Sequence, residues 1–501
     1  MCLHLKIGER TLNFNRFLLM SEPLKNKTVK GVLWSSIERL SGQLVGFFVI
    51  VIMSRVLTQA DYGLVGMLMI FIGIAQNLMD CGVSQALIRK QDRDQKDCST
   101  AFFFNIVLSG VLYVILFFCA PLISKFYNQP ELTVLTRVIS FSVIINAFMM
   151  VQKSLFTVKL DFKRQAKASL TAAIISGGCG IAMAYTGWGV WAIVYYQLIN
   201  LIFNALLLWV LSKWRPSFEF SWDSFKYFFK FGSNLTVAGV MHTIYNDIYL
   251  AAIGKVYQAS ALGLYTRAHQ FGTLPSYNMA SIIQRVTYPV LCSMQDDKDK
   301  LRETFVKFMR MTSFAVFPMM IGLSVVSKPL IIIFLGESWE YSSVLLSILC
   351  LALMWLPMDS LNLNLLQVRG RTDYYLKCEI WKKIVGLSFL FGTLPFGLVI
   401  MCWGQVLRYI LDLVVDTYYT GKYLDIGFFV QLKAVMPSLI ISAIMAIAVW
   451  FVMLPFDSMW VKLPLGFVTG VVSYVALSFI GSRNEINAIK NLLIKRKPYL
   501  A

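Results

Sequence analysis

The sequence predicts an all-α integral membrane protein of about fourteen spanning helices, built as two six-helix lobes related by a parallel repeat with two further helices behind them. Three observations lead there. Apolar blocks of about twenty residues recur from Gly31 to Ile480 in a chain of 501 residues that is 57% hydrophobic, and about twenty such residues are what one helix needs to cross the hydrocarbon core. Lys and Arg alternate in density from loop to loop. The second half of the chain repeats landmarks of the first.

In order, the spans fall near 31–53, 62–82, 102–121, 138–157, 168–188, 190–212, 229–252, 263–284, 308–327, 341–366, 378–396, 398–418, 434–454 and 459–481. The first thirty residues are polar and basic, with neither a long apolar region nor a small-residue cleavage site, so the first span is expected to serve as a retained signal. Nine cysteines are scattered without a CxxC pair, which points to neither a disulfide framework nor a metal site.

The net charge of +19 is explained by topology. With the N-terminus placed in the cytoplasm, inside segments hold 37 of the 46 basic residues: Lys6–Lys30, Arg89–Lys96, Lys153–Lys167, Lys213–Lys230, Arg285–Arg310, Arg369–Lys383, Lys422 with Lys433, and Arg483–Lys497. Outside connections keep Arg55, Lys125, Arg137, Lys255, Arg267, Lys328 and Lys462. Both termini are therefore expected in the cytoplasm. A nucleic-acid partner is not indicated, because the basic residues track the loops rather than one patch.

At a displacement of 200, Ser54-Arg55-Val56 meets Gly254-Lys255-Val256 and Gly63-Leu64 meets Gly263-Leu264; at 208, Pro121-Leu122-Ile123 meets Pro329-Leu330-Ile331, Gly189 meets Gly397 and Gln197 meets Gln405. Six spans separate the mates, an even number, so both halves enter the membrane from the same side and the repeat is parallel. The expected organisation is a cytoplasmic segment 1–30, an N-lobe 31–212, a linker 213–228, a C-lobe 229–420, two appended spans within 434–481 and a basic tail 482–501. The linker, rich in Trp, Phe and Lys, would lie against the anionic inner leaflet.

Charge inside the spans carries the functional signal. One central charge costs about 2.5 to 3.5 kcal/mol on insertion scales, so buried cations are expected to face a bundle interior or a water-filled cavity. In the first span Ser35, Arg39, Gly42, Gln43 and Gly46 share a helical face bordered by Glu38. The Gly42/Gly46 pair reads as close helix packing. In the seventh span Gly239, Thr243 and Asn246 repeat that face, with His242 and Asp247 beside it. His242 reads as a hydrogen-bonded interior histidine. In the twelfth, Gln405, Arg408, Asp412, Asp416 and Tyr419 align, and Arg408 with Asp412 is either a structural bridge or a cavity wall. Near the start of the eighth, Arg267 aligns with Gln270 and Asn278 and is close enough to the outer end to snorkel. Asp80, Asn146, Asp359 and Asn362 are weaker polar points. No Gly-rich phosphate loop, HExxH or Ser/His/Asp set occurs. The chemistry suggested is anion binding within the membrane, for which arginine's planar, permanently charged fork suits a diphosphate.

The stretches GVLWS (31–35), SRVLTQADYGLVGM (54–67), DCGVSQALIRK (80–90), APLISKFYNQPEL (120–132), LDFKRQAKASL (160–170), GWGVWAIVYYQ (187–197), FKFGSNL (229–235) and ALGLYTRA (261–268) resemble the polysaccharide-transport, Wzx/WzxC-like branch of the multidrug/oligosaccharidyl-lipid/polysaccharide exporter superfamily. The resemblance implies a flippase carrying polyprenyl-pyrophosphate-linked oligosaccharide, such as an O-antigen, capsule or exopolysaccharide repeat unit, from the inner to the outer leaflet of a bacterial cytoplasmic membrane. Two lobes would rock about a central cavity. It further implies cavity arginines in the first and eighth spans, where Arg39 and Arg267 lie. Arg408, Gln43 and Asn246 complete the candidate substrate set, and Glu38, Asp247 and Asp412 are the carboxylates that could couple transport to H⁺ or Na⁺. No cofactor is expected. Expected partners are the lipid-linked oligosaccharide, the bilayer and polysaccharide polymerase or assembly proteins. Two other readings compete: a drug or cation antiporter of the same superfamily, whose cavity should be dominated by carboxylates, and a membrane polymerase or ligase, which should carry a long external loop.

Overall fold

A computed structural model describes Trp34, residues 41–482 and Glu485. The predicted cytoplasmic segment 1–30 and most of the basic tail lie outside the described residues, as does most of the first half of the first predicted span.

Among the described residues the chain is helical, with no strand. The helices are α1 (Ser41–Ser54), α2 (Gln59–Asp80), α3 (Val83–Arg89), α4 (Gln95–Tyr127), α5 (Leu132–Ile139), α6 (Phe141–Val158), α7 (Phe162–Tyr185), α8 (Val190–Leu211) and α9 (Trp222–Cys292), followed by α10 (Lys298–Val325), α11 (Ser327–Leu335), α12 (Glu340–Leu353), α13 (Leu356–Val368), α14 (Thr372–Thr393), α15 (Leu398–Leu424), α16 (Phe428–Met453) and α17 (Met459–Gly481). Ten of the described helical stretches are long and apolar enough to cross a membrane, and the protein is a multi-pass membrane protein. The predicted seventh and eighth spans are one helical segment, α9, broken at Gln258 (φ 74°). The predicted eleventh span is α14, which carries Lys377, Glu379, Lys382 and Lys383 and is correspondingly less apolar.

Helix ends follow local chemistry. Asp94 caps α4 by accepting from the Asp97 N–H at 2.7 Å, and the Asp97 carboxylate accepts from the Asp94 N–H at 3.0 Å, a reciprocal capping box. Asp97 also accepts from Lys90 Nζ at 2.7 Å, and that bond holds the ammonium above its ordinary range. The repeat mates Gly189 and Gly397 stand at the N-terminal boundaries of α8 and α15 with φ of 52° and 101°, a backbone state that favours glycine at both places.

The described chain forms two compact units. One holds residues 41–57 with Met67–Ile248, the other Thr58–Gly66 with the described residues from Tyr249 onward. Within the first unit, α7 packs on α8, and Gly82 and Gly232 meet so closely that a Cβ on Gly82 would lie 2.7 Å from the Gly232 Cα. Within the second, the start of α2 belongs with α9 for a physical reason. A Cβ on Gly63 would overlap the Ala259 carbonyl, and one on its repeat mate Gly263 would overlap the Gln59 carbonyl. Two backbones thus approach at reciprocal glycines, an arrangement that small residues permit and larger ones forbid. Gly63→Ala and Gly263→Ala are each expected to cost about 1 to 3 kcal/mol through overpacking, read as a lower apparent melting temperature in detergent. Unchanged melting in both variants would contradict the close approach.

Candidate functional site: charge buried inside the spans

Of the predicted site residues, Glu38 and Arg39 lie outside the described residues. In the first unit Gln43 is half-buried on α1 and Asn246 is exposed on α9, its amide 3.0 Å from the His242 ring nitrogen Nδ1. His242 is hydrogen-bonded but exposed, rather than the interior histidine expected from the sequence. Asn77 of α2 donates to Thr243 Oγ1 at 2.7 Å and to the Gly73 carbonyl at 3.0 Å, so the polar face of the predicted seventh span is met by an amide that no sequence periodicity marks. Asp247 is half-buried beside Gly73.

The second unit holds two distinct charged sites. The first is Arg267, which is only 7% exposed and so does not snorkel. Its guanidinium lies over the Tyr62 ring, 4.0 Å from the centroid, and Nη1 donates to Gln270 Oε1 at 2.6 Å, the helical neighbour predicted to align with it. Nε is buried without a hydrogen-bond partner, and among the described residues no carboxylate pairs with this cation. Tyr62 is itself held edge-on to the buried Trp339. Beside Arg267, Tyr265 accepts from Gln405 Nε2 through its hydroxyl at 2.8 Å and stacks on His269. The result is a buried guanidinium whose neighbours are a neutral amide and a π face. Such a group is oriented and incompletely satisfied, the state that suits a cation awaiting an anion.

The second site joins α13, α14 and α15. Lys382 is 6% exposed; its Nζ lies 2.7 Å from Asp359 Oδ1, 3.2 Å from Glu379 Oε1 and 3.4 Å from Asp416 Oδ1. On the same face of α15, Arg408 Nε lies 3.3 Å from Asp412 Oδ2, the i,i+4 pair expected from the sequence, with the guanidinium also near the Tyr409 and Tyr249 rings. The sequence places Lys382 in the cytoplasmic segment Arg369–Lys383 and Asp359 among the weak polar points within spans. Both are corrected: α14 carries Lys382 into the interior, where it is the shared cation of three carboxylates. With Lys383 Nζ 3.9 Å from Glu379 Oε2, three cations face four carboxylates among the described residues of this cluster, which leaves a formal excess of one negative charge when all are ionised. Asp416 is fully buried and Asp412 nearly so, and excess charge in such surroundings is costly unless a proton or another cation joins it. Asn362, by contrast, is structural. It exchanges hydrogen bonds with Gln431 at 3.0 and 2.7 Å and ties α13 to α16.

Among the described residues no group of His, Cys, Asp and Glu is arranged to hold a metal ion, and the described cysteines are free thiols.

Many apolar helices with cations and carboxylates buried inside them define a membrane transporter. The chain belongs to the family described as polysaccharide biosynthesis protein, which matches residues 52–344. It is 24% identical over 428 residues to the teichuronic acid biosynthesis protein TuaB of Bacillus subtilis (strain 168), covering 85% of this chain and 88% of that one. It is 24% identical over 454 residues to the lipopolysaccharide biosynthesis protein WzxC of Escherichia coli (strain K12), covering 90% and 88%. Its fold is similar to a solved structure of the lipid II flippase MurJ in an inward closed conformation, with a TM-score of 0.73 at 17% identity over 91% of this chain and 100% of that one. An inward-facing multidrug resistance MATE family transporter is similar at a TM-score of 0.58, with 17% identity over 78% and 98%.

Proposed function

We propose that this protein is a flippase that moves a polyprenyl-pyrophosphate-linked oligosaccharide from the inner to the outer leaflet of a bacterial cytoplasmic membrane by alternating access, and that it is not an enzyme. The observation that carries the reading is Arg267, a buried guanidinium with a π face on one side, a neutral amide on the other and no carboxylate partner among the described residues. A pyrophosphate would supply the missing anionic acceptors, while the polyprenyl tail stays in lipid and the sugars occupy a polar cavity. The family and the biosynthetic relatives support the same substrate class. Both termini would lie in the cytoplasm, as the distribution of Lys and Arg supports. Arg39, Gln43, Asn246 and Arg408 are the further candidate substrate contacts, and polysaccharide polymerase or assembly proteins would receive the product.

Coupling to H⁺ or Na⁺ would run through carboxylates that change partners. Asp412 and its neighbour Asp416 are the strongest candidates because they belong to a buried cluster with excess negative charge. Asp247 and Glu38 are the alternatives. A cationic drug would have to displace Lys382 and Arg408 from those same carboxylates, which argues against the antiporter reading.

The test is the leaflet distribution of lipid-linked oligosaccharide, read with an impermeant sugar-modifying enzyme on spheroplasts. Deletion of the gene is expected to trap the oligosaccharide in the inaccessible leaflet. An unchanged accessible fraction together with new sensitivity to cationic compounds would move the assignment to the antiporter.

A further inference from the structure

The repeat leaves α16 and α17 without counterparts, and the structure gives them a feature of their own. With α10 they form an open groove of about 740 Å³ within the second unit. Its walls are apolar, formed by Met436, Pro437, Ile440, Ile441 and Ile480. Arg310 and Lys433 line it as well, both exposed and both in segments that the Lys and Arg pattern places at the cytoplasmic face. Glu485 brings one carboxylate, and Ser482 brings a hydroxyl that is buried without a hydrogen-bond partner. The three helices are tied together by the Tyr474 hydroxyl donating to the Phe314 carbonyl at 2.7 Å and by Ser313 donating to Ser438 at 3.4 Å, so the groove has fixed walls.

We propose that this groove is a binding site for a resident anionic glycerophospholipid of the inner leaflet, its phosphodiester held by Arg310 and Lys433 and its acyl chain lying along the apolar wall. Charge selects the occupant. Among the described residues that line the groove, two cations and one carboxylate leave one positive charge in excess, which matches the single negative charge of a phosphodiester. The order along α16 agrees with charge, since Lys433 lies near the start of the helix and Ile440 and Ile441 follow it about two turns further on, as a headgroup and an acyl chain would require. The Ser482 hydroxyl adds a donor for a phosphate or glycerol oxygen. The bound lipid would fill the gap between α10, α16 and α17 and hold the appended helices in place. This inference needs only that the chain spans a membrane with Arg310 and Lys433 at the cytoplasmic face, so it stands or falls separately from the flippase reading.

The experiment is native mass spectrometry, with thermal melting, of the full-length protein in detergent, titrated with phosphatidylglycerol, phosphatidylethanolamine or a polyprenyl phosphate. Phosphatidylglycerol is expected to bind and raise the apparent melting temperature, while phosphatidylethanolamine does neither. Arg310→Gln with Lys433→Gln should weaken phosphatidylglycerol binding at least tenfold, and Ile441→Trp, which fills the groove and leaves the charges in place, should do the same. Lys462→Gln, on α17 but not lining the groove, should leave binding unchanged. If the polyprenyl phosphate displaces phosphatidylglycerol through the same residues at comparable concentrations, the groove belongs to the cargo and the proposal is overturned. If neither the charge variant nor the groove-filling variant alters phosphatidylglycerol binding, the basic pair serves topology alone. A response that appears only after removal of residues 486–501 would make the chain's own tail the occupant.

Discussion

Lys382→Met is expected to destabilise the protein more than any other single change in the second unit. The ammonium is the shared partner of Asp359, Glu379 and Asp416, and removing it leaves those carboxylates with no cation at their centre. Breaking a buried pair by deleting one partner costs about 3 to 5 kcal/mol, because the orphaned charge stays in the interior. Lys382 is only 6% exposed, so solvent screening does little to soften that loss. The measurement is the apparent melting temperature of purified protein together with the amount recovered in membranes. Adding Asp416→Asn to the Lys382→Met background should restore part of the loss, since it removes one uncompensated charge without changing side-chain size. If the single variant melts like the parent, or if the second change deepens the loss, the cluster is not held by the ion pairs seen here.

That cluster also shows where sequence reading stops. Spans were legible because about twenty consecutive apolar residues leave few alternatives, and the Arg408/Asp412 pair was legible because residues four apart on a helix must be neighbours. The reciprocal packing of Gly63 and Gly263 was foreshadowed by their place in the repeat. Lys382 was not legible. It sits in a Lys-Lys pair midway along α14, in a stretch whose composition reads as a cytoplasmic segment, and its partners Asp359 and Asp416 lie 23 and 34 residues away on other helices. The same limit hid Tyr62 from Arg267, since a ring on one helix and a guanidinium on another share no periodicity. The break at Gln258 carries no sign either, because glutamine is an unusual residue at positive φ.

Arg267→Gln is expected to abolish transport while leaving the fold intact. The side chain has no ion pair to lose among the described residues, so neutralising it relieves a desolvated charge and should hold or raise the melting temperature. Its loss would be felt by substrate alone. Truncating one side of a desolvated charge pair costs about 2 to 5 kcal/mol, which corresponds to a loss of about 30-fold or more in affinity for the pyrophosphate. Arg267→Lys keeps the charge but not the planar fork that lies over Tyr62 and donates to Gln270, and should fall between the two. Tyr62→Leu removes the π face that orients the guanidinium and should cost about 1 kcal/mol. The readouts are binding of a short-chain polyprenyl pyrophosphate to purified protein and accessible oligosaccharide in spheroplasts at matched expression. If Arg267→Gln transports normally, the buried guanidinium is not the anion ligand. If it loses transport and melting stability in proportion, the cation serves packing. Only retained stability with lost binding matches a guanidinium kept unpaired for its substrate, and the graded order arginine, lysine, glutamine would show that the fork contributes beyond the charge.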